Sequence, residues 1–202
     1  MSVVYSDAFR VAAAEPQSGA LSVAVLIPCY NEAAAIAKVV RDFRAALPLA
    51  RIYVYDNNST DGTAEIAARA GAIVRREPRQ GKGHVVRRMF ADVEADIFIM
   101  VDGDDTYDAT QAPVMVALMV QDGLDLVNGV RIAESETAYR LGHKLGNRVL
   151  SGIVQAVFGR GTTDMLSGYR AFSRRFVKSF PMMSRGFEIE TELTVHSLEL
   201  NM

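Results

Sequence analysis

The stretch IFIMVDGDDTYDA, residues 97–109, places four aspartates directly after a run of strand-forming apolar residues. Neighbouring carboxylates repel one another, and burial makes that repulsion worse. The stretch therefore predicts one of two things. Either the acids lie in a solvated loop, or a positive group sits among them.

Strands and helices alternate on both sides of this stretch. Short apolar runs bounded by turn residues predict β-strands at residues 21–28, 51–56, 72–77, 96–102 and 124–130. Segments with the apolar spacing of helices lie at residues 32–47, 60–71, 81–95 and 112–123. This alternation predicts an α/β fold with a mostly parallel central sheet and helices on both faces. Beyond it, residues 133–172 predict a loop, a helix and a return towards the sheet.

Polar clusters follow three of the predicted strands, at residues 31–32, 56–61 and 102–105. In parallel α/β sheets, ligands bind beyond the carboxyl ends of the strands. The three clusters are therefore predicted to form one ligand site.

The composition is that of a globular protein, since half of the 202 residues are hydrophobic and 23% are charged. The net charge of −2 gives no basic field for duplex nucleic acid, so nucleic acid is not expected as a partner. A single cysteine, Cys29, excludes an internal disulfide and fits a reducing, cytoplasmic compartment. Residues 1–20 are expected to be a partly ordered leader and residues 21–202 one domain. The last predicted helix, from residue 186, has no terminal cap, so we expect a longer protein to continue beyond it.

Asp102 and Asp104 flank Gly103, so their carboxylates can converge while the glycine lets another group approach the backbone. Hard oxygen ligands suit Mg²⁺ or Mn²⁺, and Mg²⁺ usually shares one or two carboxylates with substrate phosphates. A calcium loop is excluded, because Tyr107 and Pro113 stand where an EF-hand needs glycine and glutamate. A solvated acidic turn explains these aspartates less well than a metal and nucleotide site.

Tyr30, after the first strand, can stack on a nucleobase. Asn31 is predicted to cap the following helix, and Glu32 to lie in its first turn. After the second strand, Asp56 and Asn57 can hydrogen-bond a ribose or a base edge. The alternative for the second pair is a turn rich in Asn and Asp.

Several basic residues can meet an anion. Lys82 and Arg79 can reach a pyrophosphate, although a solvated basic turn is equally compatible, and the residues around them do not form a P-loop. Arg131 follows the fifth strand on the ligand side and suits a phosphate oxygen. Arg170 and Arg185 can bind a second anion or lie on the surface.

Acidic residues of the last predicted helix are candidates for a general base. Glu188 and Glu192 share a face at i,i+4 spacing. Exposed pairs of this kind are common, so the solvated alternative stays open.

Seven motifs occur in an order that resembles the family-2 glycosyltransferases, and most of all the polyprenyl-phosphate (dolichyl-phosphate) mannose and glucose synthases. The motifs are VLIPCYNE (25–32), VYDNNSTDGT (54–63), GKGHVVRRM (81–89), MVDGDD (100–105), LVNGVRI (126–132), LSGYRAF (166–172) and RGFEIETEL (185–193). The resemblance implies a GT-A fold over residues 21–202 and an inverting transfer from a nucleotide sugar.

The resemblance also implies roles for individual residues. Pro28, Tyr30, Glu32, Tyr55, Asp56 and Asn57 would line the nucleotide pocket. Asp102 and Asp104 match the DxD motif, whose second aspartate binds the metal directly. Arg131 matches an arginine that contacts the donor phosphates. There are two departures: Asn57 replaces the second of two paired aspartates, and Thr106, a weaker metal ligand, stands where a glutamine is frequent.

The implied partners are a GDP- or UDP-sugar donor and a lipid-phosphate acceptor at the inner face of a membrane, as in cell-envelope synthesis. A lipid phosphate is already anionic and needs no general base. A saccharide hydroxyl would need one, with Glu190 or Glu192 as the candidate. The alternatives are a non-catalytic nucleotide-sugar-binding domain and an inactive fragment. A sugar nucleotidyltransferase is disfavoured, because PCYNEAAA (28–35) lacks a loop rich in glycine and arginine.

Overall fold

The computed structural model describes residues 21–129, 167–200 and 202. The strands of this part of the chain are β1 Val23–Cys29, β2 Arg51–Asp56, β3 Ile73–Arg76, β4 Ile97–Met100, β5 Leu126–Asn128 and β6 Arg170–Ser173. Its α-helices are α1 Ile36–Ala46, α2 Thr63–Arg69, α3 Lys82–Asp92, α4 Ala112–Gln121, α5 Arg174–Ser179 and α6 Ile189–Glu199, and a short 3₁₀ helix, Ala109–Gln111, precedes α4.

The strands form a single sheet in the order β3-β2-β1-β4-β6-β5. The first four strands of this order are parallel, and β6 runs antiparallel between β4 and β5. The predicted α/β fold with a mostly parallel sheet is therefore confirmed. The predicted return to the sheet is β6, which separates β5 from the parallel strands.

The core lies on both faces of the sheet because successive side chains of a strand point to opposite faces. In β1, Val25 and Ile27 pack in a cluster with Phe43 of α1, whereas Ala24 and Leu26 pack in a second cluster with helix α3. Helices thus cover both faces of the sheet, and the polar residues lie at the carboxyl ends of its strands.

The turn before α1 differs from the prediction. Helix α1 begins at Ile36 and is preceded by a turn over residues 32–35. In this turn the carbonyl of Glu32 accepts bonds from the amides of Ala35 and Ile36. Asn31 is therefore not its cap. Asn31 has a positive φ of 57° and accepts a bond from the amide of Thr60, which joins the loops after β1 and β2.

Among the described residues, we find no helix with the length and apolar character needed to cross a membrane.

Candidate active site

A cleft of about 410 Å³ opens at the carboxyl ends of β1 and β4, where the sequence predicts a ligand site. The predicted site residues that line it are Pro28, Tyr30, Glu32, Asn57, Lys82, Asp102, Gly103 and Asp104. The parallel strands bring these residues together, since their carboxyl ends meet at one edge of the sheet.

Two ammonium groups meet the aspartates of residues 97–109: Lys38 pairs with Asp105, and Lys82 enters the cleft. Nζ of Lys82 lies 2.6 Å from Oδ1 of Asp102 and 2.6 Å from Oε1 of Glu190. The side chains of Lys82 and Glu190 are each only 9% exposed. Burial alone would lower the pKa of Lys82, but the two carboxylates outweigh it and raise the pKa, so the ammonium stays charged at neutral pH.

The negative charges of Asp104 and Glu32 are less well balanced by positive groups than that of Asp102. Asp104 is exposed, and its Oδ1 accepts a bond from the amide of Thr106 at 3.1 Å. The pKa of Glu32 is raised by burial and then by the negative charges of Asp104, Asp102 and Asp61. The cleft therefore carries an excess of negative charge that a bound cation would relieve.

Gly103 has a packing role in this loop. A Cβ at Gly103 would lie 2.7 Å from Sγ of Cys29 and 3.4 Å from Cγ of Glu32. The group that approaches this glycine is thus the buried thiol at the end of β1. Thr106, predicted to help a metal, is exposed and does not line the cleft.

Tyr55 does not line the nucleotide pocket, contrary to the prediction. Its side chain is fully buried under α3, and its hydroxyl donates to Asp92 at 3.2 Å. Burial raises the pKa of Tyr55 to about 12. The reason is the strand periodicity, which turns Tyr55 to one face of the sheet. The next residue, Asp56, does not line the cleft either. It is buried, its Oδ2 accepts a bond from the amide of Ser59, and its Oδ1 has no hydrogen-bond partner within the described part of the chain.

Asn57 lines the cleft, but its amide already holds the loop that precedes α3. Its Nδ2 donates to the carbonyls of Glu77 and Arg79, both at 2.8 Å, and its Oδ1 accepts from the amide of Gly81 at 2.8 Å. The prediction that this side chain reads a ribose or base edge is therefore replaced by a positioning role for the loop before Lys82.

The two candidate bases, Glu190 and Glu192, have different bonding partners in the structure. Glu190 is ion-paired with Lys82, as described above. The oxygens of Glu192 accept bonds from the amides of Met183 and Ser184 at 2.6 and 2.8 Å. Burial alone would raise the pKa of Glu192, but the hydrogen bonds from the side chain of Ser184 and from the two amides, together with the charge of Arg87, outweigh it and hold the pKa below its ordinary value. Glu192 does not line the cleft, and its oxygens hold the segment before α6, so the structure gives it a positioning role for that segment.

Glu192→Gln is expected to lower the free energy of unfolding by about 1–3 kcal/mol at neutral pH, because an amide NH₂ would face a backbone N–H. Any turnover at the cleft should keep the wild-type kcat, whereas loss of a base would abolish it. A lowered pKa stabilises the fold above the pKa of the unfolded chain, and this contribution is lost as the pH falls through the folded-state pKa. The free energies of unfolding of the two proteins, measured by denaturant titration, should therefore become similar at acidic pH. A difference that does not change with pH would contradict this role of Glu192.

Two of the three predicted arginines lie in the part of the chain that the structure describes. Arg131 lies outside the described residues. Arg170 is buried, with bonds to the carbonyl of Ser167 and to Oγ1 of Thr194, so surface placement is excluded. Arg185 is exposed.

The sequence reasoning missed Phe187, which lines the cleft although it is 77% exposed. Its ring centroid lies 5.9 Å from Nζ of Lys82. The sequence signal for it was its place in the motif RGFEIETEL, directly before Glu188.

The chain is similar to known proteins in sequence and in fold. Residues 24–180 match the model of Glycosyl transferase family 2. The chain is 56% identical over 124 residues to protein RfbJ of Shigella flexneri. This match covers 61% of this chain and 96% of that protein. It is 40% identical over 176 residues to glycosyltransferase AglJ of Haloferax volcanii, covering 86% of this chain and 57% of that protein. A dolichyl-phosphate hexose transferase of the same organism is 32% identical over 155 residues, which are 76% of this chain and 67% of that protein.

Among solved structures, glucosyl-3-phosphoglycerate synthase from Mycobacterium tuberculosis is similar at a TM-score of 0.74 and 25% identity. That structure was determined with Mn²⁺, UDP-glucose and phosphoglyceric acid. The match covers 89% of this chain and 66% of that chain. The chain thus spans nearly all of RfbJ, but less than two thirds of AglJ and of this synthase.

Proposed function

The chain belongs to glycosyltransferase family 2 and has the GT-A fold, and from that premise we propose that it moves a sugar, with inversion, from a nucleoside-diphosphate sugar to a polyprenyl phosphate with the help of Mg²⁺ or Mn²⁺. The observation that carries the proposal is the acidic cleft at the carboxyl edge of the sheet, lined by Glu32, Asp102 and Asp104. A cleft with excess negative charge repels an anionic donor, and a cation that binds together with the donor removes this repulsion.

The acidic side chains fit such a cation. Mg²⁺ takes oxygen ligands, usually one or two carboxylates together with phosphates and water. Among the described residues, no three acidic, histidine or cysteine side chains converge to hold a metal by themselves. This agrees with a cation shared between Asp104, Asp102 and a diphosphate. When bound, it supplies Lewis-acid stabilisation of the charge that grows on the departing phosphate.

Three residues of the protein are suited to hold the donor. Tyr30, 53% exposed at the cleft, offers a flat face for the nucleobase. Asp56 does not line the cleft, but its unpartnered Oδ1 at the end of β2 is suited to accept a bond from a ribose hydroxyl or a base. Lys82 has three donors, of which two serve Asp102 and Glu190, so one is left for a phosphate oxygen.

The acceptor is proposed from the state of the two candidate bases. Glu190 is held by Lys82, and Glu192 is held by two backbone amides. Neither is arranged to take a proton from a hydroxyl, and a phosphate acceptor is already anionic near neutral pH and needs no general base. The similarity to a dolichyl-phosphate hexose transferase supports the same acceptor class.

Thermal unfolding with UDP or GDP, each with and without Mn²⁺, tests donor binding. A ligand at a hundred times its Kd should stabilise the folded state by about 2.7 kcal/mol. We expect this gain for one of the nucleotides, and only when Mn²⁺ is present. The absence of any shift with both nucleotides would reject the proposal.

Transfer of labelled sugar then identifies the reaction. We expect labelled product with a polyprenyl phosphate in detergent and none with a simple saccharide. Labelled saccharide would instead establish a hydroxyl acceptor, and donor binding without any product would establish a non-catalytic binder.

A further inference from the structure

Lys82 enters the cleft because the chain on both sides of it is fixed. Gly81 has a φ of 127° and donates its amide to Asn57, and the amide of Gly83 donates to the carbonyl of Arg185 at 3.1 Å. A Cβ at Gly83 would overlap the carbonyl oxygen of Ser184. The two glycines let the chain before α6 lie directly against the start of α3. The side chain between them is thereby directed onto the acids.

The ammonium occupies a position at Asp102 that a metal would need. Oδ1 of Asp102 is bonded to Lys82, and Oδ2 is covered on one side by Gly168, where a Cβ would overlap it. A divalent cation placed at Oδ1 would lie beside a buried ammonium, and like charges repel strongly where water is excluded. In the absence of another anion, Asp102 is thus a poor ligand.

We propose that Lys82 is an internal counter-ion that weakens divalent-cation binding at Asp102 until a diphosphate is present, so that cation and donor bind cooperatively. The inference rests on the proposed function, because it concerns the cation and diphosphate assigned to this cleft. A diphosphate brings negative charge towards both the ammonium and the cation. It thereby removes the repulsion that keeps them apart.

Mn²⁺ binding, measured by the electron paramagnetic resonance of the unbound ion, tests the proposal without any turnover. For the wild type, saturating UDP or GDP should tighten Mn²⁺ binding by about tenfold or more, which is a typical coupling between two sites. In Lys82→Met, Mn²⁺ binding without nucleotide should tighten by about the same factor, and the effect of nucleotide should shrink accordingly.

Two further variants serve as controls for this measurement. Loss of one partner of a buried ion pair destabilises a fold, so the double variant K82M/E190Q, which leaves the net charge unchanged, provides the same test without an extra carboxylate. Lys38→Met is the matched control, because Lys38 also bridges two carboxylates, Asp42 and Asp105, but is 57% exposed outside the cleft. It should bind Mn²⁺ as the wild type does.

The outcomes distinguish the proposed role of Lys82 from the proposed function of the protein. Nucleotide-free Mn²⁺ binding that is equal in the wild type, Lys82→Met and the double variant would overturn the role of Lys82 and leave the proposed function standing. A wild type that binds neither nucleotide in the presence of Mn²⁺ would overturn both.

Discussion

Asp104→Asn is expected to lower the rate of sugar transfer by about a hundredfold to a thousandfold, the usual loss when a preorganised electrostatic group is removed. Asp104 is the exposed acid of the cleft, and its only bond that the structure describes runs from the amide of Thr106 to Oδ1. An asparagine oxygen can keep that bond but cannot supply the negative charge that a cation needs. The free energy of unfolding should therefore change by less than about 0.5 kcal/mol.

Asp105→Asn is the matched control for this change. Asp105 is the next residue in the chain, but it pairs with Lys38 and does not line the cleft. Its φ is 63°, a left-handed conformation that asparagine adopts readily. Transfer assays with a fixed donor and increasing Mn²⁺ should find Asp105→Asn close to the wild type. Equal losses in both variants would show a general effect of charge in this loop and contradict a metal role for Asp104.

The alternation of strands and helices was sufficient to predict the class of fold. It was sufficient because each parallel strand has its own apolar run and each crossover helix its own apolar face. The position of β6 was not predictable in this way. Its register, with Met100 opposite Arg170, joins residues far apart in the chain, and nothing in the local pattern of either strand specifies that pairing.

The location of the cleft was also predictable, but the bonding partner of each polar residue was less so. Asp102 and Asp104 follow a buried strand, and the position of a strand end is a local property. The structure instead gives Asn57 and Glu192 backbone amides or carbonyls as partners. Those partners lie in loops whose course is decided by tertiary packing. A polar side chain in a motif can therefore serve a ligand or a loop, and its sequence does not distinguish the two.

Gly168→Ala is expected to lower transfer by about a hundredfold, although the residue lies far from the DxD motif in sequence. A Cβ there would overlap Oδ2 of Asp102 and lie 2.6 Å from its Cγ. The amide of Gly168 donates to the hydroxyl of Tyr107 at 2.8 Å, which limits how far the backbone can retreat. Asp102 must therefore rotate, and it then loses Lys82. Overpacking of this kind also costs about 1–3 kcal/mol of folding stability.

Gly186→Ala provides the control for Gly168→Ala. A Cβ at Gly186 would meet Oε2 of Glu188 at 2.7 Å, and Glu188 is an exposed side chain that can turn away. The measurements are transfer kinetics at saturating donor, with denaturant unfolding to correct for any unfolded fraction. Gly186→Ala should retain the wild-type rate, whereas folded Gly168→Ala should not. Wild-type turnover by Gly168→Ala would mean that the carboxylate of Asp102 need not occupy its position beside Lys82 for the reaction to proceed.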